Sequence, residues 1–150
     1  MAIISEKDQA FLREKFDKEL MAPVTIKLFT QRETRLAIPG RECQYCPETN
    51  QLMEEVAALS EKIVLEAYDF AADAAVFREH GIERIPAIVL QGAESHVVRF
   101  FGIPSGYEFP SFIQNIFGVS TGKLGLSEAT VQELKTIDQD VHIQVFVTPT

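Results

Sequence analysis

The sequence predicts an α/β domain in which a small mixed β-sheet carries helices on both faces. Apolar runs typical of buried strands alternate with segments whose apolar residues recur at helical spacing, in the order α–β–α–β–α–β–β–α. The strand–helix–strand unit requires a parallel pair, whereas the last two strands are close enough in sequence to form an antiparallel hairpin. The sheet is therefore predicted to be mixed.

The first half of the chain begins with a helix that Ser5 caps and that ends before Pro23. Residues 24–30 form the first strand. The loop 31–42 follows; it is rich in charge, and we expect a surface connection long enough to cover what comes after it. The apolar stripe of the first helix, the one that Ser5 caps, consists of Phe11, Leu12, Phe16 and Leu20.

The second half supplies three more strands and two more helices. The expected elements are a strand at 62–70, a short helix at 71–80 ended by Gly81, a strand immediately after Pro86, a strand at 97–101 and a helix at 107–117.

Two cysteines lie between the first strand and the helix that follows it. Cys43-Gln44-Tyr45-Cys46 precedes a helical segment whose apolar face is Leu52, Val56 and Leu59. A CxxC in this position indicates redox chemistry, because the positive end of the helix dipole stabilises a thiolate. The second sulfur is near enough to close a ring with the first.

Three other interpretations of the cysteine pair stay open. A structural zinc site needs two further ligands, and His80, His96 and His142 are scattered singly. An inert disulfide across so short a loop constrains the unfolded chain little. The spacing is also compatible with coincidence. We favour redox chemistry and expect neither a bound metal nor a cofactor.

Composition excludes several classes of partner. The chain has 150 residues, enough for one domain, and a net charge of −8, which disfavours nucleic acid as a partner. No apolar run approaches the roughly 20 residues of a membrane span. The amino terminus lacks a basic segment followed by a long apolar core, so we expect a cytoplasmic protein.

The element order, with CxxC before a helix and Ile85-Pro86 before the third strand, resembles the thioredoxin fold. The resemblance implies a four-stranded mixed sheet, with an extra amino-terminal helix here, and a cis peptide bond at Pro86 that faces the sulfurs. The residue type permits this, because cis bonds are essentially confined to X–Pro.

The CxxC segment and two further segments, residues 102–109 and 137–150, narrow the resemblance to the glutaredoxin-like protein disulfide oxidoreductases of thermophilic archaea and bacteria. That family implies dithiol–disulfide exchange with protein substrates, a role in intracellular disulfide formation and reduction by a thioredoxin-reductase-like flavoprotein. Its members contain two thioredoxin-like units, each with a CxxC. Here the loop before Cys43 is longer than in the family, and Thr150 falls before a second CxxC.

An internal repeat supports two units independently of the resemblance. Residues 24–29 and 141–146 share the pattern Val-x-Ile-x-(Leu/Val)-Phe, and each follows a capped helical stretch. We expect residues 1–118 to form a complete unit, 119–125 a linker, and 126–150 the first helix and strand of a second, truncated unit. A single-unit protein with a trailing helix and strand is the alternative. An unpaired strand at 141–147 would promote a homodimer.

The predicted mechanism assigns Cys43 as the nucleophile and Cys46 as the resolving thiol. Gln44 and Tyr45 form the surface around the pair. Ile85 and Pro86 shape a groove for an extended substrate peptide, with the Ile85 backbone available to pair with it.

Two competing functions remain at this point. One is a non-catalytic thioredoxin-like module of a larger redox protein, such as a peroxide-reductase flavoprotein; retention of Cys43 and Cys46 argues against it. The other is an iron–sulfur glutaredoxin that uses one cysteine with glutathione. Strand 24–30 contains no acid to serve as the buried proton acceptor that thioredoxins have there.

Overall fold

The computed structural model describes residues 2–32, 43–92, 97–123 and 125–145. Most of the predicted cover, residues 33–42, lies outside this part. Within it, four strands form one sheet: β1 (Val24–Thr30), β2 (Ile63–Asp69), β3 (Ala87–Gln91) and β4 (Val97–Phe101).

The sheet is mixed, as predicted, and β1 is one of its two inner strands. The order across the sheet is β2-β1-β3-β4. β1 pairs in parallel with β2, which places Thr30 opposite Asp69, and antiparallel with β3, which places Phe29 opposite Ala87. β3 and β4 form the expected antiparallel hairpin. The carboxyl ends of β1 and β2 therefore lie at the same edge as the start of β3.

Five helices accompany the sheet in the described residues: α1 (Glu6–Glu19), α2 (Cys46–Ala57), α3 (Ala74–Glu79), α4 (Glu108–Thr121) and α5 (Glu128–Leu134). Ser5 caps α1 and Ser127 caps α5 through their side chains. α4 is longer than predicted and ends at Gly122, which has φ 66°. Residues 119–121, assigned above to a linker, are thus helical, because Val119 and Ser120 are buried.

Helices cover both faces of the sheet. The larger core joins α1, α2 and α4 to one face of the sheet, on which Val24, Ile26 and Leu28 alternate along β1. A smaller cluster on the opposite face packs Phe77 of α3 against Phe29. Within α1, the structure corrects one residue of the predicted stripe: Phe11 is 61% exposed, since Leu12 and Phe16 occupy the buried face.

The structure also corrects the described part of the predicted trailing strand. Residues 141–145 form no strand, and their side chains are exposed; residues 146 and 147 lie outside the described part. A strand needs a partner for its backbone N–H and C=O groups, and neither β2 nor β4 accepts this segment. The alternating apolar pattern alone does not supply that partner.

Two glycines test the packing of α4 against the turn after β3. A Cβ at Gly92 would overlap the backbone carbonyl of Val119, whereas one at Gly118 meets nothing within 4 Å. We expect Gly92→Ala to lower the free energy of unfolding by at least about 2 kcal/mol, because backbone must shift. Gly118→Ala, the matched control, raises it by about 0.5–1 kcal/mol through helix propensity. Urea unfolding of both variants measures this; equal effects would contradict the packing.

Candidate redox site

A disulfide joins Cys43 to Cys46 at the amino-terminal end of α2. The two Cα atoms are 5.4 Å apart. Cys46 is the first residue of the helix and is 1% exposed, whereas Cys43 precedes the helix and is half-buried. The two cysteines thus differ in exposure, and Cys43 is the more exposed of the two.

Local backbone geometry explains why the helix begins here. The Cys46 N–H donates to the Cys43 carbonyl oxygen at 3.3 Å, closing a turn. The hydroxyl and the N–H of Thr49 both donate to the Tyr45 carbonyl oxygen, at 2.6 and 3.0 Å. Pro47 suits the first helical turn because it has no N–H to satisfy. The positive end of the helix dipole therefore faces the cysteine pair and favours a thiolate there.

A side chain from the end of β1 contacts the motif. The Cys43 N–H donates to Oε1 of Gln31, with an N–O distance of 3.0 Å. Gln31 directly follows β1, so this bond places Cys43 at the carboxyl end of that strand. Gln31 was not among the predicted site residues, because a glutamine in a charged loop gives no signal of a partner 12 residues away.

Ile85 and Pro86 lie at the same edge of the sheet. The Ile85–Pro86 peptide is cis, Pro86 is buried, and its carbonyl oxygen accepts the N–H of Gly102 at 2.9 Å. Pro86 immediately precedes Ala87, whose partner in β1 is Phe29. The structure thus places the predicted proline and the cysteine pair at one end of β1. Of the other predicted site residues, Gln44 is exposed and Tyr45 is 49% exposed.

A buried carboxylate at this edge comes from β2 rather than from β1. Asp69 accepts the N–H groups of Arg32, Ala71 and Ala72, at 2.9, 3.0 and 2.9 Å. The Arg32 N–H is the largest of the influences that hold the pKa of Asp69 below its usual value. An aspartate at a strand end followed by a turn was the available sequence signal, since such residues bond nearby backbone N–H groups.

The described residues offer no alternative metal site. Across those ranges, no group of three or more His, Cys, Asp or Glu side chains is arranged to hold a metal ion. Nor does any helix in the described part have the length and apolarity to cross a membrane.

The fold and the cysteine pair define a thioredoxin-like disulfide protein. The model of the thioredoxin domain family matches residues 34–114, more than half of the chain. A probable thioredoxin of Methanothermobacter thermautotrophicus is 36% identical over 67 residues, which make up 44% of this chain and 74% of that protein. The chain belongs to the thioredoxin domain family, and both this membership and the disulfide support a redox role.

Solved structures agree with the family assignment. A protein disulfide oxidoreductase from Aeropyrum pernix superposes with a TM-score of 0.72 at 28% identity, covering 88% of this chain and 54% of the other. The NTD_N/C domain of alkylhydroperoxide reductase AhpF from Enterococcus faecalis gives 0.71 at 25% identity, covering 87% and 59%. This chain therefore spans less than two thirds of the length of either structure.

The buried carboxylate predicts a pH dependence of stability. Because folding lowers the pKa of Asp69, its ionisation stabilises the fold fully above the unfolded value, ordinarily 3.8, and that stability is lost as pH falls through the lower folded value. We expect Asp69→Asn to reduce the free energy of unfolding by about 1–3 kcal/mol at pH 7, and by much less in acid below the folded pKa.

Denaturant unfolding from pH 7 down to the acid range measures that difference. Asp17→Asn, at an exposed position of α1, is the control and should differ little from wild type at every pH. If Asp69→Asn lowered the free energy of unfolding by the same amount at every pH, ionisation of Asp69 would not be the source of the stability.

Proposed function

We propose that this chain is a thiol–disulfide oxidoreductase unit that acts on protein disulfides, with Cys43 as the nucleophile and Cys46 as the resolving thiol. The observation that carries the proposal is the Cys43–Cys46 disulfide itself, in which Cys43 is half-buried and Cys46 is buried at a helix amino terminus. Such asymmetry suits a two-step exchange, because only one sulfur must meet the substrate.

The proposed reaction transfers two electrons to the substrate. The Cys43 thiolate attacks one sulfur of a substrate disulfide; a mixed disulfide forms and the other substrate sulfur leaves as a thiolate. The Cys46 thiolate then attacks the Cys43 sulfur, which releases the second substrate thiolate. The products are a reduced substrate and the Cys43–Cys46 disulfide. A thioredoxin-reductase-like flavoprotein is the proposed partner that returns the pair to the dithiol.

Four neighbouring residues are assigned to substrate contact. Gln44 and Tyr45 lie between the cysteines with exposed side chains. Ile85 and Pro86 precede β3 at the edge of the sheet where Cys43 lies, so an extended peptide that lies across this edge would meet the Ile85 backbone. We propose the cytoplasm as the location, because a dithiol pair there is maintained for catalysis rather than as a structural bridge.

The domain proposal follows the repeat. Residues 126–150 are proposed to begin a second thioredoxin-like unit, which is consistent with the partial coverage of the A. pernix oxidoreductase. The likeness to the AhpF domain favours a second candidate function, in which the chain is a non-catalytic thioredoxin-like module of a larger redox protein such as a peroxide-reductase flavoprotein.

Insulin reduction by dithiothreitol separates these two functions. We expect the wild-type chain to accelerate precipitation of the insulin B chain, and Cys43→Ser to return the rate to that of dithiothreitol alone, since no mixed disulfide forms.

Cys46→Ser is the matched variant, with the same substitution at the other sulfur. Reduced first and then freed of dithiothreitol, it should accumulate a mixed disulfide with insulin that non-reducing gel electrophoresis resolves and that added dithiothreitol removes. A folded wild-type protein without acceleration would favour the module in a larger flavoprotein.

The exposed trailing segment generates a prediction about assembly. Val141, Ile143 and Val145 are 59%, 79% and 78% exposed, and their alternation would place them on one face of a strand. We propose that this segment pairs with a sheet edge of a second copy, giving a homodimer. Ile143→Glu should shift sedimentation velocity toward monomer, whereas Gln144→Glu, one position along, should not. A monomeric wild-type protein would refute the dimer.

A further inference from the structure

The hydrogen bond between Gln31 and Cys43 ties the reactive motif to the central sheet. Cys46 is held within α2, but Cys43 precedes the helix. Its N–H donates to Gln31 at 3.0 Å, and its carbonyl oxygen accepts from Cys46 at 3.3 Å. The backbone N–H and C=O of Cys43 thus both have hydrogen-bond partners, and Gln31 is the partner that lies outside the CxxC motif.

Gln31 is itself held from both sides. The preceding residue, Thr30, accepts the N–H of Phe70 at 2.9 Å. The following residue, Arg32, donates its N–H to the Asp69 carboxylate at 2.9 Å. The residues that flank Gln31 are therefore fixed to the end of β2, and a half-buried amide side chain projects from a backbone of restricted position.

We propose that Gln31 is a positioning residue: its amide oxygen confines Cys43 next to Cys46 and so stabilises the disulfide relative to the dithiol. As a refinement of the reaction proposed above, the inference rests on that function. Forming the S–S bond removes two electrons and two protons from the two thiols. Oxidised glutathione accepts them and becomes two glutathione thiols, so a glutathione buffer measures the equilibrium.

The physical basis is the effective concentration of one thiol at the other. In the dithiol form no S–S bond restrains Cys43, so its distance from the fixed Cys46 depends on the backbone contacts that remain. If the Gln31 oxygen is lost, Cys43 samples positions from which ring closure is less favourable. The reduced form offsets part of the lost hydrogen-bond energy through this added freedom of Cys43. The oxidised form gains no such freedom, because the S–S bond still restrains Cys43, so the loss destabilises the oxidised form more.

The experiment compares Gln31→Met, Gln31→Glu and Gln132→Met in glutathione buffers at pH 7, with thiols trapped by a maleimide and separated by gel shift. Met is similar in length but lacks the strong acceptor. We expect Gln31→Met to lower the equilibrium constant for disulfide formation by about three- to tenfold, the effect of one lost hydrogen bond.

The other two variants serve as controls. Gln31→Glu keeps an acceptor oxygen, and its charge opposes a nearby thiolate in the reduced form, so its constant should equal or exceed that of wild type. Gln132→Met, exposed on α5, should leave the constant unchanged.

Thermal unfolding of the oxidised and reduced forms distinguishes positioning from general stability. Positioning is supported if Gln31→Met destabilises the oxidised form more than the reduced form and lowers the equilibrium constant for disulfide formation. An unchanged equilibrium constant for disulfide formation overturns the proposal. This holds whether the melting temperatures of the oxidised and reduced forms stay the same or both decrease equally. If wild type fails to reduce insulin yet its constant still depends on Gln31, the proposed function fails while the positioning role stands.

Discussion

The pairing of β1 on both of its edges is the constraint on which the rest of the structure depends. Its parallel pairing with β2 and antiparallel pairing with β3 bring three strand ends to one edge of the sheet. These are the last residues of β1 and β2, Thr30 and Asp69, and the first residue of β3, Ala87. The redox motif and the cis proline belong to segments that start or finish at that edge. Their proximity is thus a property of strand order rather than of sequence distance.

Burial on the two faces of the sheet keeps this arrangement rigid. The larger core fixes α2 through Leu52, Met53 and Val56, all 1% exposed or less, so that the first helical residue, Cys46, is held and covered. Phe29 lies on the opposite face, edge-on to Phe77 at 4.8 Å between ring centroids. Because packing anchors the strand and the helix independently, the short segment that contains Cys43 needs only a few polar contacts to define its position.

Those polar contacts form a connected series at the sheet edge. The Asp69 carboxylate gathers three backbone N–H groups, one of them from Arg32, and the neighbouring Gln31 gives its amide oxygen to Cys43. Each bond satisfies a backbone donor that would otherwise need water, and donors bound to an ionised carboxylate are held more strongly than those bound to neutral acceptors. The hydrogen bonds at this edge therefore limit the freedom of the backbone that carries Cys43.

Most of the architecture follows from local pattern. A short apolar run located β1, helical periodicity and Ser5 located α1, and the CxxC between strand and helix identified the redox pair. These features are encoded within a few residues, so physical chemistry predicts them without a structure. The length of α4 was underestimated because burial of Val119 and Ser120 beyond the predicted end depends on what packs there.

The sequence by itself thus determined the order of elements, the cysteine pair and the proline before β3. Tertiary structure alone decided which distant groups meet: Gln31 with Cys43, Asp69 with Arg32, and a carbonyl of α4 close to Gly92. It also left residues 141–145 without a strand, although their pattern matches β1. The reason is the same in each case: a side chain's chemistry is local, but its partner is chosen by how the strands and helices pack.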